Sequence, residues 1–215
     1  MASVNPAPKK TRRERAAETR ERMVEAALEV FAEEGYVGAR MVDIAARAGV
    51  AVQTLYFTFH TKPELLQACY DHAVLGPDRL PPPQQPFFAK IMSARSGRAA
   101  LAAFAEGNGA IVARVASIDE VARAALHEPE AVEVREHSER LRRDGYGMVV
   151  AHLDQRFGLR SGLDVTRGTD LLLMLGSGAP YLMLRGYGWT HDQYVDWLSD
   201  TLATQLLARP GSRPR

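Results

Sequence analysis

The chain has 215 residues, which suffices for one well-filled domain or for a small domain joined to a larger one. Its 46% of hydrophobic residues is typical of an ordinary soluble globular protein, and its formal net charge of +1 indicates no particular partner. No apolar run is predicted to span a bilayer, residues 1–22 lack the apolar segment of a secretory signal, and a single cysteine excludes an intrachain disulfide, so a cytoplasmic location is expected.

The N-terminal residues 1–15 are predicted to form a basic, flexible arm. Positive charge is concentrated in and just after this arm. The basic side chains are Lys9, Lys10, Arg12, Arg13, Arg15, Arg20 and Arg22, against the acidic Glu14, Glu18 and Glu21. A basic arm ahead of a folded domain suits a polyanion such as nucleic acid. A solvated tail without a partner is the alternative that the composition leaves open.

Residues 16–75 are predicted to form a small helical domain. Its first helix, Ala16 to about Glu34, has apolar residues at helical spacing and ends before Gly35. Three shorter helices are expected to follow, at about Met41 to Ala48, Val52 to Phe59 and Lys62 to Val74. Cys69 lies in the apolar pattern of the last one and is predicted to be a buried small hydrophobe rather than a reactive thiol.

Residues 76–86, GPDRLPPPQQP, hold too many prolines for a helix and predict an extended, semi-rigid linker at a domain boundary. Residues 87–210 are predicted to form a larger helical body. Its helices are expected at about 87–94, 98–116, 118–127, 130–158, 164–186 and 190–208. Strand-like alternation is scarce, so the expected fold class is all-α, with a small head and a helical-bundle body.

Two short helices joined by the glycine turn at Gly49 have the layout of a helix-turn-helix DNA-binding unit. In the second of them, Leu55 is predicted to face the core together with Phe59, four residues later. The side chains expected to point outwards are Gln53, Thr54, Phe57 and Thr58. Such side chains offer hydrogen bonds for base edges and phosphates and an apolar contact for a thymine methyl. A short helix rich in Leu, Tyr and Phe could instead be ordinary core.

The segment FAEEGYVGARMVDIAARAGVAVQTLYFTFHTKPELL, which begins at Phe31, resembles the DNA-binding domain of the tetracycline-repressor (TetR) family of bacterial regulators. The matching residues are Phe31, Gly35, Tyr36, Ile44, Ala45, Ala48, Gly49, Val50, Thr54, Leu55, Tyr56, Phe59 and Lys62. The resemblance covers about residues 16–75, and the TLYxxFxxK element after the AGV turn is its most specific part. The body resembles the family only in being helical and of suitable length.

This resemblance implies that the helix from Val52 to Phe59 is a recognition helix in the major groove of double-stranded DNA. It implies a phosphate contact through the hydroxyl of Tyr56 and a backbone contact through Lys62. Phe57 is expected either to face DNA or to pack beside Tyr36. The expected DNA-binding residues are Arg40, Val52, Gln53, Thr54, Tyr56, Phe57, Thr58 and Lys62.

The chain departs from the family pattern in three places. Ala39 and Arg40 stand where the family usually has Thr or Ser, so a helix cap worth about 1 kcal/mol is lost, and Arg40 is expected to contact a phosphate instead. Ala51 stands where a Ser is frequent, so the third helix also lacks its usual cap. Gln53 stands where Gly is common and is expected to add a base contact, for which adenine is the suited partner.

The body offers no catalytic constellation, and no enzyme activity, cofactor or metal site is predicted. His127, His137 and His152 do not have the spacing of metal ligands. The sequence Gly176-Ser177-Gly178 lacks the lysine and the preceding strand of a phosphate loop, and no Gly-x-Ser-x-Gly motif occurs.

The resemblance implies a dimer interface and a small-molecule pocket in the body. Residues 170–184 are apolar on nearly all faces, and Pro180 is expected to bend or break their helix; the last helix also has an apolar stripe. Paired with their twofold copies, these two helices would form a four-helix interface, unless they merely fill the monomer core. The predicted interface residues are Leu175, Gly178, Ala179, Trp197, Leu198 and Leu202.

The candidate effector-binding residues, each of which could be ordinary packing, are Phe104, Asn108, Tyr146, Met148, His152, Met174 and Tyr181.

These observations predict a homodimeric, ligand-responsive transcriptional regulator, a repressor that a small-molecule effector releases from a palindromic DNA operator. Two alternatives stay open. One is an all-α ligand-binding protein or enzyme with an incidental helix-turn-helix, and the other is a DNA binder without an effector.

Overall fold

A computed structural model of the chain describes residues 11–208, and within this range it contains ten α-helices and no β-strand. The predicted all-α fold class is therefore confirmed for the described residues. The helices are α1 (Arg12–Gly38), α2 (Met41–Ala48), α3 (Val52–Thr58), α4 (Lys62–Leu75), α5 (Pro86–Ser93), α6 (Gly97–Ala124), α7 (Pro129–Phe157), α8 (Val165–Leu175), α9 (Gly178–Gly186) and α10 (His191–Leu206).

Helix α1 begins four residues earlier than the apolar pattern predicts. Thr11 caps it, because its hydroxyl accepts a hydrogen bond from the backbone N–H of Glu14 while the Glu14 carboxylate accepts one from the N–H of Thr11. The last residues of the predicted arm, from Arg12 onwards, are thus helical, and its residues 1–10 lie outside the described part. At Gly35 the backbone leaves the helical region with a φ of 69°, and one further turn continues to Gly38.

Helices α1 to α4 pack around one apolar core, and the bounds of α2, α3 and α4 agree with the predicted ones to within a residue. Buried residues of all four helices form this core, among them Val24, Phe31, Ile44, Leu55 and Leu66. Gly49 ends α2 in the left-handed conformation with a φ of 67°, which only glycine adopts without strain and which sets the turn into α3. Cys69 is fully buried, as predicted, and its Sγ donates to the carbonyl of Val24.

The proline-rich segment 76–86 folds back on α4 instead of running extended. Pro82–Gln84 form a short 3-10 turn, and the amide of Gln85 donates to the carbonyls of Val74 and Leu80. The predicted extended linker is therefore wrong. The prolines prevent a helix here, but the Gln85 amide supplies the tie that keeps the segment compact.

Helix α6 is a single continuous helix, where the sequence suggested a break after residue 116. It packs against α1, α4, α5, α7, α9 and α10 and contributes to two cores, with Ile118 and Ala122 in that of the head and Leu101 and Phe104 in that of the body. By length and apolar composition alone α6 could cross a membrane, contrary to the expectation for the whole chain. Its central position accounts for that apolar character, because other helices pack on several of its sides.

The apolar segment predicted as one helix over 164–186 forms two helices. The break falls at Gly176 and Ser177, a few residues before the proline that was expected to cause it. Pro180 instead lies in the first turn of α9, where its missing N–H has no intrahelical partner to lose. The break leaves the carbonyl of Gly176 free to accept a hydrogen bond from the side chain of Asn108 on α6.

Candidate DNA-binding surface and ligand cavity

Helix α3 is fixed to the head by one face. Leu55 is fully buried and Phe59, just after its last turn, is 3% exposed. Val52 is half-buried and packs against the same core. On the opposite face Gln53 and Thr54 are exposed. Neither α2 nor α3 has a side-chain cap, which confirms the loss expected from Arg40 and Ala51 at these positions.

Two aromatic side chains project from the exposed face of α3. Tyr56 is 47% exposed and Phe57 is 83% exposed. Tyr36 stacks on Phe31 instead of on Phe57, with ring centroids 5.9 Å apart and planes inclined by 21°. The alternative that Phe57 packs beside Tyr36 is therefore wrong, and its ring is available to a partner.

The cationic residues expected at the DNA surface are partly engaged within the head. The guanidinium of Arg40 donates to both carboxylate oxygens of Asp43, at 2.6 and 2.9 Å. The Nζ of Lys62 lies 3.4 Å from the carbonyl of Val37 and 4.5 Å from the centroid of the Tyr36 ring, and burial lowers the pKa of Lys62. Thr58 donates its hydroxyl to the carbonyl of Thr54 at 2.9 Å. The least constrained of the expected contacts are thus Gln53, Thr54, Tyr56 and Phe57.

A salt bridge that the sequence patterns did not reveal fastens α2 to α1. The guanidinium of Arg47 donates to both carboxylate oxygens of Glu33 at 2.7 Å, and Glu29 lies 3.7 Å away. This bidentate contact lowers the pKa of Glu33. It joins α2 to α1 at the exposed surface of the head.

The body contains a cavity of about 460 Å³, which lies where α4, the proline-rich segment, α5, α6 and α7 meet. Its size falls in the range of small-molecule sites. Its walls are mainly apolar and aromatic, with Phe87, Phe88 and Val115 among them. Four of the seven candidate effector-binding residues line it, namely Phe104, Asn108, Tyr146 and Met148.

The other three candidates do not line this cavity. Met174 is 58% exposed on α8. Tyr181 packs edge-on against Tyr194, with centroids 4.9 Å apart, and its hydroxyl lies 3.4 Å from Nδ1 of His191. His152 faces the ring of Phe157. The break between α8 and α9 interrupts the helical periodicity between Met174 and Tyr181, so a single-helix pattern does not predict which faces they occupy.

A buried hydrogen-bond chain crosses the cavity wall from α7 to the break after α8. The hydroxyl of Tyr146 donates to Oδ1 of Asn108, and Nδ2 of Asn108 donates to the carbonyl of Gly176 at 3.0 Å. Burial raises the pKa of Tyr146 to about 12, so that its hydroxyl stays a neutral donor at physiological pH.

Charged groups lie at the end of the cavity nearest the head. Asp119 on α6 accepts a hydrogen bond from the hydroxyl of Tyr70 on α4 at 3.2 Å, and Nε of Arg135 lies 4.0 Å from the same carboxylate. Glu139 accepts from the guanidinium of Arg142 at 2.6 Å. The sequence signal was the alternation of Arg and Glu at three- and four-residue spacing on α7, which is also typical of a solvated helix face. The Tyr70–Asp119 contact joins the head directly to the cavity.

Half of the predicted dimer-interface residues belong to the interior of one protomer. Leu198 and Leu202 are fully buried, and Gly178 faces α6, where an added Cβ would lie 3.2 Å from the Cα of Ala116. These three assignments were wrong, because the apolar stripe of α10 and the small residues of α9 serve the body's own core. Leu175, Ala179 and Trp197 are only half-buried. The large apolar side chains exposed on α8, α9 and the residue after α9 are Met174, Met183 and Tyr187.

The head thus has a helix-turn-helix architecture, with two short helices around a glycine turn and a polar and aromatic outer face on the second helix. The helical body contains a cavity. Residues 23–69 match the model of the bacterial regulatory proteins of the tetR family. The match lies within the head, which is therefore similar to the DNA-binding domain of that family.

A sequence relative supports this assignment over the head. The chain is 47% identical over 53 residues to TtgW of Pseudomonas putida, an uncharacterized HTH-type transcriptional regulator. The match covers 25% of this chain and spans 40% of the length of TtgW, so it concerns the head alone.

Solved structures extend the likeness of fold to the body. A putative TetR-family regulator from Rhodococcus sp. superposes with a TM-score of 0.66 at 18% identity, over 87% of this chain and 98% of that one. NalD of Pseudomonas aeruginosa, the secondary repressor of the MexAB-OprM multidrug efflux pump, gives a TM-score of 0.65 at 19% identity, over 89% and 98% of the two chains. At these identities the likeness shows a shared fold.

Proposed function

We propose that the protein is a homodimeric transcriptional repressor that binds a palindromic DNA operator and is released from it by a small-molecule effector. The observation that carries the DNA-binding part is the division of α3 into a buried face, anchored by Leu55 and Phe59, and an exposed face with Gln53, Tyr56 and Phe57. A rigidly seated helix with polar and aromatic side chains outwards can enter the major groove and contact base edges.

The roles of the α3 side chains follow from their chemistry. The exposed amide of Gln53 suits the donor and acceptor pair of an adenine. Tyr56 would donate its hydroxyl to a phosphate, and Phe57 would contact a thymine methyl, as Val52 would at the start of the helix. Arg40 and Lys62 would contact phosphates only after they loosen their contacts with Asp43 and Val37, so they are the weaker contributors.

The cavity supports an apolar effector. Rings of Phe87, Phe88 and Phe104 form much of its wall, and hydrogen bonds engage polar lining groups in the pairs Tyr146–Asn108 and Tyr70–Asp119. The cavity touches α4 at Tyr70, whose hydroxyl is held by Asp119. A ligand that separates these two groups would move α4 and with it the head. Release from DNA then requires that the ligand binds the displaced arrangement more tightly than the DNA-bound one.

DNA binding is tested with a duplex from the region upstream of the protein's own gene and with a shuffled duplex of equal length, by fluorescence anisotropy at about 0.15 M salt. The wild-type protein is expected to prefer the upstream duplex. Gln53→Ala should reduce this preference by about 1–3 kcal/mol, whereas Tyr56→Phe should weaken binding to both duplexes alike. Arg140→Ala, an exposed change on α7, serves as the control. A wild-type protein without any preference would contradict the proposal.

The effector site is tested with the amphiphilic dye anilinonaphthalene sulfonate, whose aromatic rings suit an apolar cavity. Val115→Trp, which places a large ring in the cavity wall, should abolish dye binding. Leu126→Trp, at an exposed position outside the cavity, is the matched control. Equal dye binding in both variants would remove the cavity from the proposal and favour a DNA binder without an effector.

A further inference from the structure

The first part of α1 projects beyond the core of the head. None of the residues 12–22 is buried, and the first buried residue of the helix is Met23. A helical segment without a buried residue gains little from packing and is marginal in water, even with a capping box such as that of Thr11 and Glu14. This segment therefore has an exposed surface that its own fold does not use.

Two arginines on this segment carry positive charge outside the ion pairs found among the described residues. Arg13 and Arg20 are exposed, and neither forms an ion pair with a carboxylate of residues 11–208. They are seven residues apart, so they lie on the same side of the helix at a separation of about 10 Å. By contrast, the head's other arginines near α3 are neutralised, Arg40 by Asp43 and Arg47 by Glu33.

Arg20 is fixed next to the recognition helix. Its guanidinium lies 4.9 Å from the centroid of the Phe59 ring, and Phe59 is the residue that ends α3. A guanidinium over an aromatic face is held in place without losing its charge or its donors. The positive charge of Arg20 thus lies at the C-terminal end of α3, beside the surface proposed to face DNA.

We propose that Arg20, with Arg13 beyond it, binds phosphates of double-stranded DNA alongside the major groove that α3 enters, so that the start of α1 is a second DNA-contacting element. The proposal rests on the DNA binding proposed above. Charge complementarity selects the partner, because a duplex presents a dense row of phosphates next to the groove. These contacts contribute affinity and orientation, and no base preference.

The test uses the full-length protein and a duplex of random sequence, because phosphate contacts act on any sequence. Binding is measured as a function of salt concentration for wild type, Arg20→Ala, Arg13→Ala and the control Arg140→Ala, which removes the same charge from α7. Each lost phosphate contact should reduce the slope of log K against log salt by about 0.9 and weaken binding several-fold at low salt. Circular dichroism and thermal melting check that each variant is folded.

Slopes that fall for Arg20→Ala and Arg13→Ala, but not for Arg140→Ala, are the expected result. Equal slopes in all four proteins would overturn the proposal while DNA binding itself stands. Binding to anionic lipid vesicles that depends on Arg20, with duplex binding unchanged, would overturn it in favour of a membrane surface. If the wild-type protein binds neither the random nor the upstream duplex, the proposed function fails, and this proposal fails with it.

Discussion

Asn108 is one of two buried polar residues in the described part of the chain. Its hydrogen-bond partners explain how a polar side chain can be buried at this position. Its amide accepts from Tyr146 on α7 and donates to Gly176, at the break between α8 and α9. A buried amide without partners would be costly, but both of its ends are satisfied here. The result is a fixed junction of three elements at the cavity wall.

Tyr146→Phe should destabilise the protein by about 1–3 kcal/mol. The change removes the hydroxyl and leaves Oδ1 of Asn108 buried without its donor, while the volume of the ring is kept. Urea unfolding followed by circular dichroism measures the loss. Asn108→Leu tests the same contact from the other side, and the double variant should lose less than the sum of the two single changes. Additive losses would mean that the contact contributes little.

Cys69 should be unreactive in the folded protein. Burial raises its pKa well above that of a free cysteine, so at about pH 8 the native thiol stays protonated while an unfolded one begins to ionise. A disulfide reagent should label it only in denaturant. The raised pKa also means that its contribution to stability is complete below about pH 8.5 and is lost as the pH rises further.

The pH dependence of Cys69 can be isolated with Cys69→Ala. Above about pH 8.5 the unfolding free energy of the wild type should fall more steeply than that of the variant, by up to about 1.4 kcal/mol per pH unit. Burial also raises the pKa of Tyr36 and of Tyr70, but both tyrosines are present in both proteins and their contributions cancel in the difference. Parallel curves would show that the thiol is accessible to solvent.

At the scale of elements, the close contact between α5 and α6 depends on a glycine of α6, whereas a glycine of α7 near the same cavity has free space around it. An added Cβ at Gly107 would lie 2.0 Å from Cγ of Phe87 on α5, far inside van der Waals contact. At Gly145 on α7 an added Cβ would meet nothing within 4 Å. Both glycines lie inside helices near the cavity, so alanine substitutions at the two positions can be compared directly.

Gly107→Ala should destabilise the protein by about 1–3 kcal/mol, because the Phe87 ring and α5 must move to make room. Gly145→Ala should instead stabilise it by about 0.5–1 kcal/mol, since alanine loses less backbone entropy in a helix. Thermal melting compares the two. Combining Gly107→Ala with Phe87→Ala should recover part of the loss. Equal melting temperatures for the two alanine variants would show that α5 is loosely seated on α6.

The elements of the head were predictable from sequence and several of those of the body were not. The bounds of α2, α3 and α4 follow from local signals, namely the turn at Gly49 and the proline at the start of α4. The continuity of α6 and the break at Gly176 depend on tertiary contacts, such as the hydrogen bond from Asn108, which leave no local signal. The start of α1 was missed although its capping box is visible in the sequence.

The candidate site, like the elements, could be predicted from the sequence only in part. The exposed and buried faces of α3 follow from a short helix with one anchoring residue, Leu55, and the predicted division was confirmed. Four of the seven candidate residues line the cavity, whereas Met174, Tyr181 and His152 do not. Three predicted interface residues are buried in one protomer, because many faces of the apolar helices can be core. The charged groups at the head end of the cavity, such as Asp119, came only from the structure.

At the scale of the whole molecule, head and body share a core. Ile118 and Ala122 of α6 and Val134 of α7 pack within the apolar cluster of α1 to α4. Head and body are thus joined by direct packing as well as by the connecting residues 76–86. Motion of α4 at the cavity cannot occur without a change in this shared core, which gives a ligand a mechanical route to the head.

The proposed twofold-symmetric dimer needs a contact surface, and the exposed apolar residues of α9 and of the position just after it supply one. Met183 and Tyr187 are 59% and 74% exposed and four residues apart, so they lie on one side of the helix.

Met183→Glu with Tyr187→Glu should convert the proposed dimer into a monomer, because two carboxylates would be buried against their twofold copies. Light scattering after gel filtration measures the mass, and circular dichroism should be unchanged. Leu126→Glu, at a residue 58% exposed near the end of α6, is the control and should stay dimeric. The monomer should also bind the upstream duplex far more weakly, since one head then acts alone. A double variant of unchanged mass would locate the interface elsewhere.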